Sequence, residues 1–106
     1  MSKPLTQAEI ETALATGAGG ASLGAAGWSV DREALAKTFK FADFREAITF
    51  MVRVGFEAEA MNHHPEWSNV YNRVAVRLNT HDAGGKVTTK DVELARRMET
   101  VLTVRA

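Results

Sequence analysis

The chain has 106 residues and three histidines, and two of the three are adjacent: "EAEAMNHHPEWSNVYN" sets His63 and His64 directly before Pro65. The third, His81, follows in "NTHDAGG", and a carboxylate, Glu59, stands four residues before His63. Three readings suit imidazoles grouped beside a carboxylate. They can be polar side chains satisfied locally in a loop. They can bind zinc, as three histidines do in some catalytic sites. They can donate and accept protons, because a free imidazole has a pKa of ~6.5 and both its forms exist near neutral pH. The metal reading meets an obstacle. Neighbouring side chains diverge in helix and in strand alike, so His63 and His64 do not readily aim at one ion. A helical pair of histidines four residues apart is absent, and there is no cysteine. The lack of cysteine also excludes thiol nucleophiles and disulfides, and no serine lies in a nucleophile-elbow pattern.

The elements around these residues decide whether they meet. "WSNVYN" and "VAVRLNT" read as two strands. The second alternates, with Val74, Val76 and Leu78 on one face and Ala75, Arg77 and Asn79 on the other, as a half-buried strand does. With Asn72 and Arg73 as the turn, Tyr71 pairs with Val74, Asn69 with Val76 and Trp67 with Leu78. That ladder, extended, sets His64 opposite His81. A helical pattern starts at Asp43, which has capping-box spacing to Glu46. Projection at 100° per residue puts Phe44, Ala47, Ile48, Met51, Gly55 and Ala58 on one face and Arg45, Glu46, Arg53 and Glu57 on the other. Glu59 breaks this division, projecting near Ile48 and Val52 at the edge of the apolar face. If the helix reaches that far, Glu59 lies one turn behind His63 and can hold its ring. Pro65 disfavours helix at His64 and extends the chain there.

Two helices and a strand pair complete the pattern. "LTQAEIETALAT" is capped by Thr6 with Glu9 as reciprocal partner, has Leu5 and Ile10 as a hydrophobic staple, and stops at Gly17. "GAGGASLGAAG" lacks the lysine and flanking strand of a phosphate loop and reads as a flexible connector. "GWSV" and "ALAKTFKF" read as short strands. "TTKDVELARRMETVLTV" reads as a helix, with Thr88 and Asp91 at capping-box spacing, Val87 and Val92 as staple, and an apolar stripe of Val92, Ala95, Met98 and Leu102. The order α-ββ-α-ββ-α implies an α+β fold of two layers, a four-stranded antiparallel sheet with helices on one face.

Bulk properties narrow the function classes. The length suits a single domain, 1–106, able to bury roughly 60–70% of its unfolded surface without metal or disulfide help. Lys plus Arg and Asp plus Glu number 13 each, so no net field invites nucleic acid or an anionic membrane. "MSKPLTQAEI" has no apolar core of signal-peptide type and no long apolar run follows, which leads us to expect a soluble, cytoplasmic protein.

One combination is specific. Glu59, His63-His64-Pro65 after three intervening residues, Tyr71 after five more, His81 after nine and Asp91 after a further nine together resemble the signature of the pterin-4a-carbinolamine dehydratases. Trp28, Trp67, Thr80 and "FxFxDFxxAxxFMxRV" from Phe39 to Val54 fit the same pattern. The resemblance runs from about Gly27 to Val101, so residues 27–106 form the family core and residues 1–26 a helix plus link. The link "GAGGASLGAAG" is longer and richer in glycine than the short connection expected before Trp28.

The resemblance implies the fold already inferred, assembled as a homodimer or homotetramer. It implies dehydration of 4a-hydroxytetrahydropterin to quinonoid dihydropterin and water, without metal or cofactor, recycling the pterin used by aromatic amino acid hydroxylases. His63 and His81 are then the proton-transfer groups. His64 binds and orients the pterin with some acid–base share, and Glu59 orients His63. Pro65, Trp67 and Thr80 complete the substrate-binding set, with Pro65, Trp67 and Tyr71 serving mainly shape and packing and Trp67 able to line the pocket. Asp91 belongs to the pattern but sits at the third position of a helix, where capping explains it. Some relatives are also dimerisation cofactors of a homeodomain transcription factor, which makes a protein-binding coactivator role the alternative. A role in molybdopterin metabolism is a further one.

Overall fold

The computed structural model describes residues 3–16 and 22–103. The order is α1 (Gln7–Ala15), β1 (Ser29–Asp31), β2 (Ala34–Lys40), α2 (Phe44–Met61), β3 (Glu66–Val70), β4 (Arg73–Leu78) and α3 (Thr89–Thr103), with a 3-10 turn at His81–Ala83. The strands form one antiparallel sheet in the order β1-β2-β4-β3. This is the α-ββ-α-ββ-α arrangement expected from the pattern. The expected stop at Gly17, and the first part of the glycine-rich link with it, lie outside the described residues, as does Val104.

Alternation sets the two faces of the sheet. Leu35 and Phe39 on β2 lie level with Leu78 and Val74 on β4, and all four are buried against the helices with Val76. Ala75 and Thr38 point to the opposite, uncovered face. Phe50 from α2 enters the core beside Phe39 and Phe41, with ring centroids 4.6 and 5.1 Å away. Trp28 precedes β1 rather than belonging to it. It is buried edge-on to Phe39 at 5.8 Å, and its Nε1–H donates to Glu99 Oε2 at 2.9 Å. The Lys37 ammonium lies 2.6 Å from the same oxygen.

Local chemistry ends the elements where needed. Thr6 and Glu9 form the expected capping box on α1. Arg32 and Glu33, at φ 46° and 67°, make the two-residue turn between β1 and β2. Asp43 accepts from Glu46 N–H at 2.9 Å to cap α2, while the Glu46 carboxylate reaches back to Ala42 N–H.

Two expectations need correction. The inward face of α2 is Ala47, Phe50, Val54 and Ala58, whereas Phe44 and Ile48 are exposed together with Val52 and Phe56. The helix is apolar around much of its circumference, so projection alone does not say which stripe meets the sheet. The β3–β4 turn is Tyr71–Asn72, one residue earlier than expected, so Trp67 pairs with Val76 and Asn69 with Val74. Asn72 decides this. Its side chain donates to Phe41 O at 3.0 Å and its carbonyl accepts from Phe41 N–H at 2.8 Å, fixing it beside the end of β2. The Asn69 amide closes the loop by donating to the carbonyls of Tyr71 and Arg73.

Candidate active site

The end of α2 delivers His63. Asn62 adopts the left-handed conformation, φ 51° and ψ 42°, a helix-ending geometry that asparagine tolerates better than most residues. His63 N–H then donates to Ala58 O at 3.0 Å, the six-residue closure of a Schellman-type end. The chain turns inward by one residue, and His63 becomes 8% exposed while His64 stays outside. The corrected hairpin register pairs Glu66 with Arg77, so its extension sets His63 level with Thr80 rather than His64 level with His81.

Both His63 and Thr80 meet Asp91. His63 Nε2 lies 2.6 Å from Asp91 Oδ1. Thr80 Oγ1–H donates to Asp91 Oδ2 at 2.7 Å, and Thr88 N–H donates to the same oxygen at 2.8 Å. Asp91 is 0% exposed. A buried carboxylate costs several kcal/mol of desolvation unless its oxygens are paired, and here donors from three segments supply the pairing. The bond to Thr88 N–H is the expected cap. The other two tie the start of α3 to the end of α2 and to the segment after β4. Asp91 is therefore both a helix-capping residue and the partner of His63.

His64 forms a second pair, with Nε2 2.9 Å from Glu59 Oε1. Its side chains are 59% and 78% exposed, so solvent screens the pair strongly. This corrects the expected role of Glu59, which contacts His64 and not His63. The reason is the Asn62 turn, which swings His63 away from the outer face of α2 on which Glu59 lies. His81 starts the 3-10 turn, is exposed, and has no hydrogen-bond partner for its ring among the described residues. It is held in place through its neighbour Thr80, whose backbone pairs with Lys86. Trp67 and Pro65 are half-buried, and Trp67 packs against the core. Tyr71, expected to serve packing, is 63% exposed in the β3–β4 turn, at the end of β3 remote from His63. Among the described residues no three His, Asp or Glu side chains are placed to share a metal ion, and no helix is long and apolar enough to cross a membrane.

The sequence carries a signal for Asp91 beyond helix capping. At 100° per residue Asp91 falls within 40° of Ala95, Met98 and Leu102, in the middle of the apolar stripe of α3. A carboxylate there is buried, and a buried carboxylate needs a partner.

A family model described as pterin 4 alpha carbinolamine dehydratase matches residues 3–101. A protein of Opitutus terrae named "Putative pterin-4-alpha-carbinolamine dehydratase" is 61% identical over 97 residues, covering 92% of each chain. One of the same name from Solibacter usitatus is 44% identical over 99 residues, covering 93% of this chain and 95% of its own. The crystal structure of a transcriptional coactivator/pterin dehydratase from Brucella melitensis superposes with a TM-score of 0.80 at 42% identity, covering 93% of this chain and 98% of the other. With the family model matching residues 3–101 and a relative 61% identical over 92% of the chain, the chain belongs to the pterin 4 alpha carbinolamine dehydratase family.

Proposed function

We propose that this protein is a lyase that converts 4a-hydroxytetrahydropterin to quinonoid dihydropterin and water by imidazole acid–base catalysis, recycling the pterin of aromatic amino acid hydroxylases. The observation that carries the proposal is the buried His63–Asp91 pair at 2.6 Å beside the exposed His64 and His81. The reaction breaks the C4a–O bond, and the departing hydroxyl takes a proton and leaves as water. N5 loses its proton and the C4a=N5 double bond forms, so atoms and electrons balance without a redox partner. The chemistry needs one proton donor and one acceptor on a bound ring. His63 and His81 fill these roles. His64, held by Glu59, orients the pterin, with Pro65, Trp67 and Thr80 shaping the pocket. The test is the decay of freshly generated 4a-hydroxytetrahydropterin, accelerated by the protein and not by His63→Ala or His81→Ala. Wild-type protein no faster than buffer overturns the proposal.

A second reading rests on a separate observation. Phe44, Ile48, Val52 and Phe56 make an exposed apolar stripe along α2, from 38% to 73% exposed. A contiguous apolar strip marks an interaction surface, and the neutral net charge presents no barrier to self-association. Its occupant is a second copy of this chain, in a homodimer or homotetramer. Sedimentation showing an oligomer that Val52→Asp dissociates supports this, and a monomeric wild type refutes it. A coactivator role would use the same stripe, and capture of a transcription regulator surviving His63→Ala would favour it.

A further inference from the structure

Thr88 is buried, 1% exposed, and its hydroxyl has two neighbours. It precedes α3 and accepts from Lys90 N–H at 3.2 Å, which is an N-cap bond. That bond uses a lone pair only. The hydroxyl hydrogen stays free for an acceptor, and Thr80 Oγ1 lies 2.7 Å away. Thr80 gives its own hydrogen to Asp91 Oδ2, because a carboxylate accepts and does not donate. The bonds therefore have one direction: Thr88 O–H to Thr80 Oγ1, and Thr80 O–H to Asp91. Thr88 N–H donates to Oδ2 as well. Two donors on Oδ2 fix the carboxylate plane and aim Oδ1 at His63 Nε2.

The consequence falls on the His63 tautomer. With Asp91 ionised, the proton between Oδ1 and Nε2 belongs to the imidazole, and the neutral ring then carries no proton on Nδ1. Among the described residues Nδ1 has no hydrogen-bond partner, and no buried side-chain nitrogen or oxygen is left without one, so Nδ1 reaches the surface of the site. We propose that Thr80 is a positioning residue: its hydroxyl, oriented by Thr88 and donating to Asp91 Oδ2, aims Oδ1 so that the His63 proton stays on Nε2 and Nδ1 is the atom that exchanges a proton with the substrate. This rests on the acid–base reading above for its kinetic consequence but not for its structural one.

The experiment uses the full chain with 15N-labelled histidine, read by NMR above the pH at which the ring is neutral, alongside the dehydration assay. Wild type shows a protonated Nε2 and a bare Nδ1 for His63. Thr80→Val removes one of the two donors on Oδ2 and gives a mixture of tautomers and a kcat about fivefold lower, equal to the loss of one ordinary hydrogen bond of about 1 kcal/mol, with KM little changed. Thr80→Ser restores both readouts. Thr88→Val keeps both donors and only frees the Thr80 hydroxyl to turn, so it moves the same readouts in the same direction by less and keeps the test alive if Thr80→Val does not fold. A wild-type His63 protonated on Nδ1 overturns the proposal. So does a Thr80→Val that only lowers thermal stability, leaving tautomer and kcat unchanged, since that is the behaviour of a tie between segments alone. The tautomer readout needs no turnover, so a chain without dehydratase activity still decides the positioning claim.

Discussion

Replacing Asp91 by asparagine separates shape from charge at the centre of the site. The amide matches the carboxylate in size, so α3 keeps its packing. Oδ2 accepts from both Thr80 O–H and Thr88 N–H, and the amide oxygen must take that position because an NH2 there would face two donors. The NH2 is then left where Oδ1 was, pointing at His63 Nε2. An NH2 donates, so His63 must accept through Nε2 and carry its proton on Nδ1, the reverse of the tautomer that an ionised carboxylate at Oδ1 imposes. The stability cost is moderate. Three bonds to a charged acceptor become bonds to a neutral amide, each weaker by about 1 kcal/mol, and relief of carboxylate desolvation offsets part of the roughly 3 kcal/mol total. Asp91→Ala costs more, because it leaves Thr88 N–H and the His63 imidazole without acceptors, at about 1–3 kcal/mol for each orphaned group. The kinetic effect has the opposite scale. Misplacing the proton of an acid–base group removes its contribution, about 10²–10⁴-fold in kcat. Urea unfolding and the carbinolamine decay assay on the same preparations measure both. A folded Asp91→Asn protein with kcat within a few-fold of wild type would refute the assignment of His63 as a proton-transfer group held by Asp91.

Other expectations follow from the same geometry. Asn62→Gly keeps the left-handed helix end and retains activity, whereas Asn62→Val puts a β-branched side chain at φ 51° and costs about 1–2 kcal/mol with loss of kcat as His63 is displaced, measured by thermal melts and turnover. Glu59→Gln leaves the melting temperature unchanged because its pair with His64 is solvent-exposed, and raises KM more than it lowers kcat. Phe50→Ala removes a side chain 3% exposed from the aromatic core and destabilises by about 3–5 kcal/mol in denaturant unfolding.

The sequence made the element order legible because its signals are local. Thr6–Glu9 and Asp43 mark helix starts, and the alternation from Val74 to Leu78 marks a strand and its buried face. The faces and partners were less legible because they depend on distant groups. Nothing near α2 says that Phe50 rather than Phe44 meets Phe39 and Phe41. The register of β3 on β4 turned on Asn72 bonding to Phe41, 31 residues away in the chain. At the site, Pro65 and the spacing of the histidines located the right segments, but one left-handed residue, Asn62, decided which histidine went inward. That single turn exchanged the partners, giving Asp91 to His63 and Glu59 to His64.

Stopped-flow absorbance of freshly generated 4a-hydroxytetrahydropterin, with wild type, His63→Ala and buffer in parallel, measures whether the buried His63–Asp91 pair drives dehydration of a pterin carbinolamine. The expected outcome is rapid conversion to quinonoid dihydropterin by wild type and decay close to the buffer rate with His63→Ala. Equal rates for wild type and His63→Ala would rule that role out.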